Sequence, residues 1–183
     1  MNHITHTNLF TFNEVESILK YMSTTSDTVY PVFIDGKWNN VGCKMQSCEL
    51  NWNPDISWFF EKLANWINEL NLGFTLVQYP HAVFRKYEVG DFFIKHMDEL
   101  PNPIIRRYMT ICIQLSNEFD YEGGDVYIYG NDAKELIPKT IGYTYTFGIK
   151  IPHEVTPIIK GTRKSLTIFI NESHINIKRV NLI

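Results

Sequence analysis

The feature that most limits what this chain can fold into is its texture after residue 74. Short runs rich in β-branched and aromatic residues follow one another, at 74–79, 83–87, 92–96, 107–115, 125–129, 143–147, 153–157 and 164–170. Turn-forming residues separate them: Val89-Gly90-Asp91, Pro101-Asn102-Pro103, Gly123-Gly124, Gly130-Asn131-Asp132 and Lys160-Gly161. Strands this short, at turn-like spacing, predict a sandwich, barrel or jelly roll. Gly123-Gly124 reads as a tight turn and not a phosphate cradle, because no dinucleotide-binding pattern surrounds it.

The residues before 74 read differently. Thr11-Phe12-Asn13-Glu14 has the form of a capping box, and Val15, Ile18, Leu19 and Met22 follow at helical spacing. A first helix over 12–22 is expected, then a polar loop over 23–27. Residues 29–38 predict a strand pair turning at Asp35-Gly36. Residues 39–51 fit either a loop or a short strand. Asn53 and Pro54 cap and open a second helix, with Phe59, Leu63, Trp66, Ile67 and Leu70 as its apolar stripe and Asn71 and Gly73 at its end. That stripe is expected to pack on a sheet. The last residues, 174–183, offer one more strand.

A chain of 183 residues with 44% apolar and 14% aromatic residues is enough for one globular domain. The expected organisation is a single domain, 1–183: an N-terminal helical support over 1–73, a β core over 74–170, and a C-terminal strand or tail over 171–183. A net charge of −3 gives no global case for nucleic acid or a membrane surface as partner. No apolar run has the length of a membrane span, and Met1-Asn2-His3-Ile4-Thr5-His6 lacks the layout of a signal peptide. A soluble cytoplasmic protein is expected, in a host cytoplasm if the Ile- and Asn-rich composition reflects a viral genome. Cys43, Cys48 and Cys112 complete no zinc pattern and are read as reduced structural thiols, with a Cys43–Cys48 disulfide as the alternative.

Residues two apart on a strand face the same side, so His96 and Asp98 can enter one cavity with Met97 on the other face. Two imidazoles and a carboxylate on one face of an octahedron form the facial triad of non-haem Fe(II) oxygenases. His153 can supply the second imidazole from another strand. Zinc or manganese would suit the same ligands. Alone, a His-x-Asp pair is weak, since a structural histidine explains it as well. A hairpin turning at Lys160-Gly161 is expected to return Arg163 to the same side of a sheet as His153. There its guanidinium can hold a carboxylate in two parallel hydrogen bonds. Ser165 faces the same way, either as a second donor or as a plain strand residue. A dicarboxylate that chelates at one end and pairs with arginine at the other has the shape of 2-oxoglutarate.

Ordered motifs then carry a resemblance. They are Tyr87-Glu88-Val89-Gly90-Asp91-Phe92-Phe93-Ile94-Lys95-His96-Met97-Asp98, Thr110 to Ser116, Tyr121-Glu122-Gly123-Gly124-Asp125-Val126, Gly142 to Phe147, and His153 through Gly161-Thr162-Arg163-Lys164-Ser165-Leu166. Over 74–170 the sequence resembles the 2-oxoglutarate- and Fe(II)-dependent dioxygenases of the prolyl 4-hydroxylase-like superfamily. The resemblance implies a double-stranded β-helix, a jelly-roll variant. It implies hydroxylation of a C–H bond with release of succinate and CO2, using Fe(II), 2-oxoglutarate and O2, with ascorbate as an accessory. By the same resemblance His96, Asp98 and His153 are the iron ligands and Arg163 binds 2-oxoglutarate. Tyr87 matches a tyrosine that donates to 2-oxoglutarate in many relatives. Phe93 stands where many relatives carry tyrosine, and Gln114 where the animal oxygen-sensing type has one nearby. Gln114 is kept as a further candidate donor to the co-substrate.

The expected substrate, by analogy, is proline in a protein or peptide. Two alternatives stand beside it: the same chemistry on a free amino acid, small metabolite or nucleobase, and a non-catalytic binding module on the same fold. The turn over 99–105 is expected at the cavity mouth, either as a gate or as a connector. His81 is read as a surface or turn histidine, and His3, His6 and His174 carry no assigned role.

Overall fold

The computed structural model describes residues 5–23, 32–34, 37–39, 43–100, 106–130 and 133–177. The chain opens with β1 (Thr5–Asn8) and α1 (Phe12–Met22), followed by an antiparallel pair, β2 (Val32–Ile34) and β3 (Lys37–Asn39). Next come β4 (Cys43–Lys44), β5 (Gln46–Leu50) and α2 (Ser57–Glu69). The β-rich part holds β6 (Phe74–Leu76), β7 (Ala82–Tyr87), β8 (Phe92–His96), β9 (Arg107–Gln114), β10 (Tyr121–Gly123) and β11 (Val126–Gly130). It continues with β12 (Ala133–Leu136), β13 (Tyr143–Gly148), β14 (His153–Val155), β15 (Ile158–Gly161), β16 (Arg163–Asn171) and β17 (Ile175–Ile177).

Local sequence sets the helices. Glu14 N donates to Thr11 Oγ1, and Thr11 N donates back to Glu14 Oε2 at 2.8 Å, which closes the expected capping box of α1. The same Glu14 carboxylate receives Lys62 Nζ of α2 at 2.7 Å, so the cap also ties the two helices together. Asn53 caps as expected, but what it caps is a short 3-10 turn, Pro54–Ile56, from which α2 then starts. Asn71, at φ 49°, turns the chain out of α2.

Two sheets form the body. One has six strands in the order β1-β13-β9-β16-β7-β5, the other five in the order β12-β11-β14-β8-β4. This is the jelly-roll architecture expected for a double-stranded β-helix, with the helices outside it. Residues 39–51 contribute β4 and β5, one to each sheet edge. The strand expected near the end is β17, paired with β6 away from both sheets. The expected polar loop beyond Ser23, the turn at Asp35-Gly36 and most of the turn over 99–105 lie outside the described residues.

Period-two alternation divides the six-stranded sheet into two faces. Phe84, Ile111, Ile113, Leu166 and Ile168 point to one side and form a core with Val15 and Ile18 of α1 and Phe59, Leu63 and Ile67 of α2. The α2 stripe therefore packs on a sheet, as its spacing predicts. The intervening residues point the other way, to the inner face of the five-stranded sheet, where Tyr87, Tyr145 and Phe147 join Phe93, Val126, Ile128 and Val155. Cys43 and Cys48 are free and buried, Cys43 in this second core and Cys48 in the first.

One expected connection is corrected. Lys160-Gly161 is not a turn returning Arg163 to the sheet of His153. Residues 158–161 form β15, which pairs with β10 and carries the chain from one sheet to the other. Gly161 has φ +75°, and a Cβ there would stand 2.0 Å from Asp120 O, so the crossover is built around the missing side chain.

Candidate metal centre

β8 ends at His96, and β14 begins at His153 directly opposite it in the antiparallel register. Each imidazole is oriented by its own backbone: His96 Nδ1 lies 2.7 Å from Ile94 O, and His153 Nδ1 lies 3.0 Å from Ile151 O. A carbonyl can only accept, so Nδ1 carries the proton in each ring and Nε2 is left as a lone-pair donor. Both Nε2 atoms face Asp98, His96 at 3.6 Å from Oδ1 and His153 at 3.5 Å from Oδ2. These separations exceed hydrogen bonds and match donor atoms sharing one ion through bonds of about 2.1 Å. All three donors lie within 4.8 Å of one another. The donor set therefore fits a divalent metal.

Asp98 lies just beyond β8, yet it keeps the inward direction expected of a residue two after His96, while Met97 is 49% exposed. Its backbone N–H donates to Ile149 O at 3.0 Å, and Thr110 Oγ1 donates to Oδ2 at 2.6 Å. Burial opposes ionisation of this carboxyl, but the two imidazoles and the Thr110 hydroxyl hold it below the ordinary carboxylate range. Burial, reinforced by His153, lowers His96 to about 4, so its ring stays neutral and free to ligate. Phe93 stacks flat on His96, with centroids 3.5 Å apart and planes 8° apart. The phenylalanine that departs from many relatives is thus the wall against which the first imidazole rests.

Arg163 faces this cluster from the other sheet. It lines one cavity with Tyr87 and the triad and is 2% exposed, with no ion-pair partner among the described residues. Its Nη1 donates to Ser165 Oγ at 3.1 Å, and its Nε has no partner. An arginine buried with unused donors fits an anionic ligand. Tyr87 is in register with Arg163, its ring centroid 5.2 Å from the guanidinium carbon. Burial raises the Tyr87 phenol, and raises that of Tyr145 further, so both remain protonated donors.

Of the residues singled out in the sequence, His96, Asp98, His153, Arg163, Tyr87 and Ser165 line one cavity. Gln114 does not. Its amide nitrogen donates to Tyr121 Oη at 2.7 Å and to Ser116 O at 3.3 Å, which uses both hydrogens and leaves it no donor for a co-substrate. Sequence reasoning passed over Thr110, Tyr145 and Arg85. Tyr145 and Thr110 sit at inward positions of β13 and β9, and strand alternation within the quoted motifs was the signal that could have found them.

Comparison with known proteins gives the same frame. Residues 82–171 match the family described as the 2OG-Fe(II) oxygenase superfamily. A PKHD-type hydroxylase of Shewanella baltica is 24% identical over 98 residues, covering 51% of this chain and 44% of that protein. The chain thus spans less than half the length of this curated relative. A Pseudomonas putida prolyl-4-hydroxylase superposes with a TM-score of 0.72 at 18% identity, covering 92% of this chain and 91% of its own. A Trichoplax adhaerens prolyl hydroxylase, solved with a hypoxia inducible factor peptide fragment, gives 0.75 at 17% identity, covering 95% and 86%. At these identities the two structures speak for the fold.

Proposed function

We propose that this chain, which belongs to the 2OG-Fe(II) oxygenase superfamily through its β core, is a 2-oxoglutarate-dependent Fe(II) dioxygenase that hydroxylates a C–H bond, with proline in a protein or peptide as the substrate. The observation that carries the reading is the pairing, in one cavity, of the His96-Asp98-His153 donor set with the buried, anion-free Arg163. The proposal treats 1–183 as one domain. The proline preference rests on the prolyl hydroxylase neighbours, one of which holds a peptide.

Iron with 2-oxoglutarate and O2 supplies the oxidising chemistry: the co-substrate loses CO2 to become succinate, and one oxygen atom enters the substrate C–H bond. The chain does the holding. His96 and His153 present Nε2, and Asp98 presents its carboxylate, from one side, which leaves the opposite side for exogenous ligands. Arg163 and Ser165 offer donors to the far carboxylate of 2-oxoglutarate. Tyr87 and Tyr145 add phenolic O–H groups in the same cavity. Phe93, Val126 and Val155 line it with apolar surface and keep water from the reacting centre. Ascorbate enters this proposal as the reductant that maintains ferrous iron.

Anaerobic addition of Fe(II) and 2-oxoglutarate to the protein is expected to give a weak visible charge-transfer band. Correctly folded protein without that band overturns the reading. Asp98→Ala is expected to abolish iron-dependent succinate formation, and wild-type turnover in that variant would mean that the metal ligands are misassigned.

A further inference from the structure

The cavity is lined by a second arginine to which the proposed function gives no role. Arg85 sits on β7 between Val83 and Tyr87, at an inward position, and it lines the same cavity as the triad. It lies in register with Ser165 of β16 on one side and with Ser47 of β5 on the other, so these three side chains share one face. Its recorded hydrogen bond runs from Nη1 to Met45 Sδ at 3.3 Å, a weak acceptor for a charged donor. No ion pair engages it among the described residues, where Asp98 is the one carboxylate lining the cavity. The neighbouring Ser47 is 1% exposed, and its hydroxyl has no hydrogen-bond partner.

Charge decides what is missing. In the reading above, on which this inference rests, a ferrous ion and the 2-oxoglutarate dianion cancel, and Asp98 cancels Arg163. Arg85, half-buried at the cavity, then remains as positive charge that an occupant covering it would desolvate. Such a charge is unfavourable unless the occupant brings an anion. An arginine serving only as surface cover would direct its head to solvent. Strand alternation directs this one inward.

We propose that Arg85 is a specificity-determining residue that binds a carboxylate of the substrate, with Ser47 as an adjacent donor. The substrate is thus a proline-type compound bearing negative charge near the hydroxylated carbon. The carboxylate comes either from an acidic side chain beside the target residue in a peptide or from the α-carboxylate of a free amino acid. Arg163 keeps the co-substrate, and Arg85 selects what is oxidised.

Carboxylate and amide pairs test this. The probes are acetylated peptides with glutamate or glutamine beside a central proline, and free proline against prolinamide. Gain of one oxygen is read by mass spectrometry with Fe(II), 2-oxoglutarate and O2. Binding of the same pairs to the zinc-loaded protein with 2-oxoglutarate is read by calorimetry. The acidic member of the peptide pair or of the amino-acid pair is expected to be preferred, and which pair responds identifies the source of the carboxylate. Arg85→Met is expected to lower kcat/KM for that member by about ten- to hundred-fold, with Arg85→Lys in between, while the KM for 2-oxoglutarate stays within about two-fold. Equal handling of acid and amide, preference for the amide, no binding or oxidation of any acidic member, or a raised 2-oxoglutarate KM in Arg85→Met each overturns the assignment. Failure of the wild type to form succinate from 2-oxoglutarate under any condition counts instead against the dioxygenase reading, and the calorimetric preference still decides the role of Arg85.

Discussion

Thr110 donates a 2.6 Å hydrogen bond to Asp98 Oδ2, the same oxygen that lies 3.5 Å from His153 Nε2. The hydroxyl comes from the six-stranded sheet and the histidine from the five-stranded one, so the carboxylate is held by both halves of the sandwich. Thr110→Val keeps the shape and removes the donor. We expect metal affinity to fall by about ten-fold or more, read by competition with a chromophoric chelator, and Thr110→Ser to restore most of it. Unchanged affinity in Thr110→Val would mean that the hydrogen bond does not orient the ligand.

Burial and His153 hold His96 at about 4, against 6.5 for an ordinary histidine. The unfolded chain therefore takes up a proton that the folded, metal-free protein refuses. Stability of the metal-free protein is expected to fall as pH drops from about 6.5 to about 4, by roughly 3 kcal/mol from this group. Melting temperatures across that range check it. His96→Gln should flatten the slope, and an equal slope in that variant would assign it elsewhere.

Arg163 is buried with an unused Nε and no ion-pair partner among the described residues. Removing it should therefore affect the empty and loaded protein in opposite ways. Arg163→Met is expected to raise the 2-oxoglutarate requirement on the order of 100-fold. The ligand-free protein should be no less stable than wild type, because a buried charge without an ion-pair partner among the described residues has left the interior. Thermal melts with and without 2-oxoglutarate separate the two effects. A large ligand-free loss would make Arg163 a structural residue.

Gly161→Ala should act on the fold and not on the ligands. Its φ of +75° and the 2.0 Å approach of a Cβ to a backbone oxygen leave no flexible side chain to yield. A destabilisation of about 2–4 kcal/mol is expected in urea titration. A loss under about 1 kcal/mol would show that the crossover relaxes easily.

What was legible in the sequence was local. The Thr11–Glu14 cap, the α2 stripe and the spacing of His96 and Asp98 depend on neighbours along the chain, and they are found as read. What was not legible depends on pairing at a distance. Thr5-His6-Thr7-Asn8 has no apolar alternation and becomes a strand only by lying along β13. Ala133-Lys134-Glu135-Leu136 has the composition of a helix and is drawn into a strand by β11. Arg163 and His153 were expected on one sheet because a glycine between two strands resembles a hairpin, and no local signal distinguishes a hairpin from a crossover. Arg85 lies two residues before Tyr87 on the same strand, so alternation puts both on one face, but it stands just outside the quoted motifs and was passed over.

The pairing of Thr5 with Thr146 also bears on how the chain is made. β1 is the first strand described, and its partner β13 comes some 140 residues later. At about 5–20 residues per second a ribosome takes on the order of 7–30 s to supply that partner. Until then the nascent β1 lacks its partner edge, whereas β4 and β5 wait only for β8 and β7, about 40–50 residues later. Closure of the sandwich is thus deferred until most of the chain has been synthesised. During that interval its hydrogen-bonding edges are open to other chains, and the newborn protein is most exposed to misassembly then.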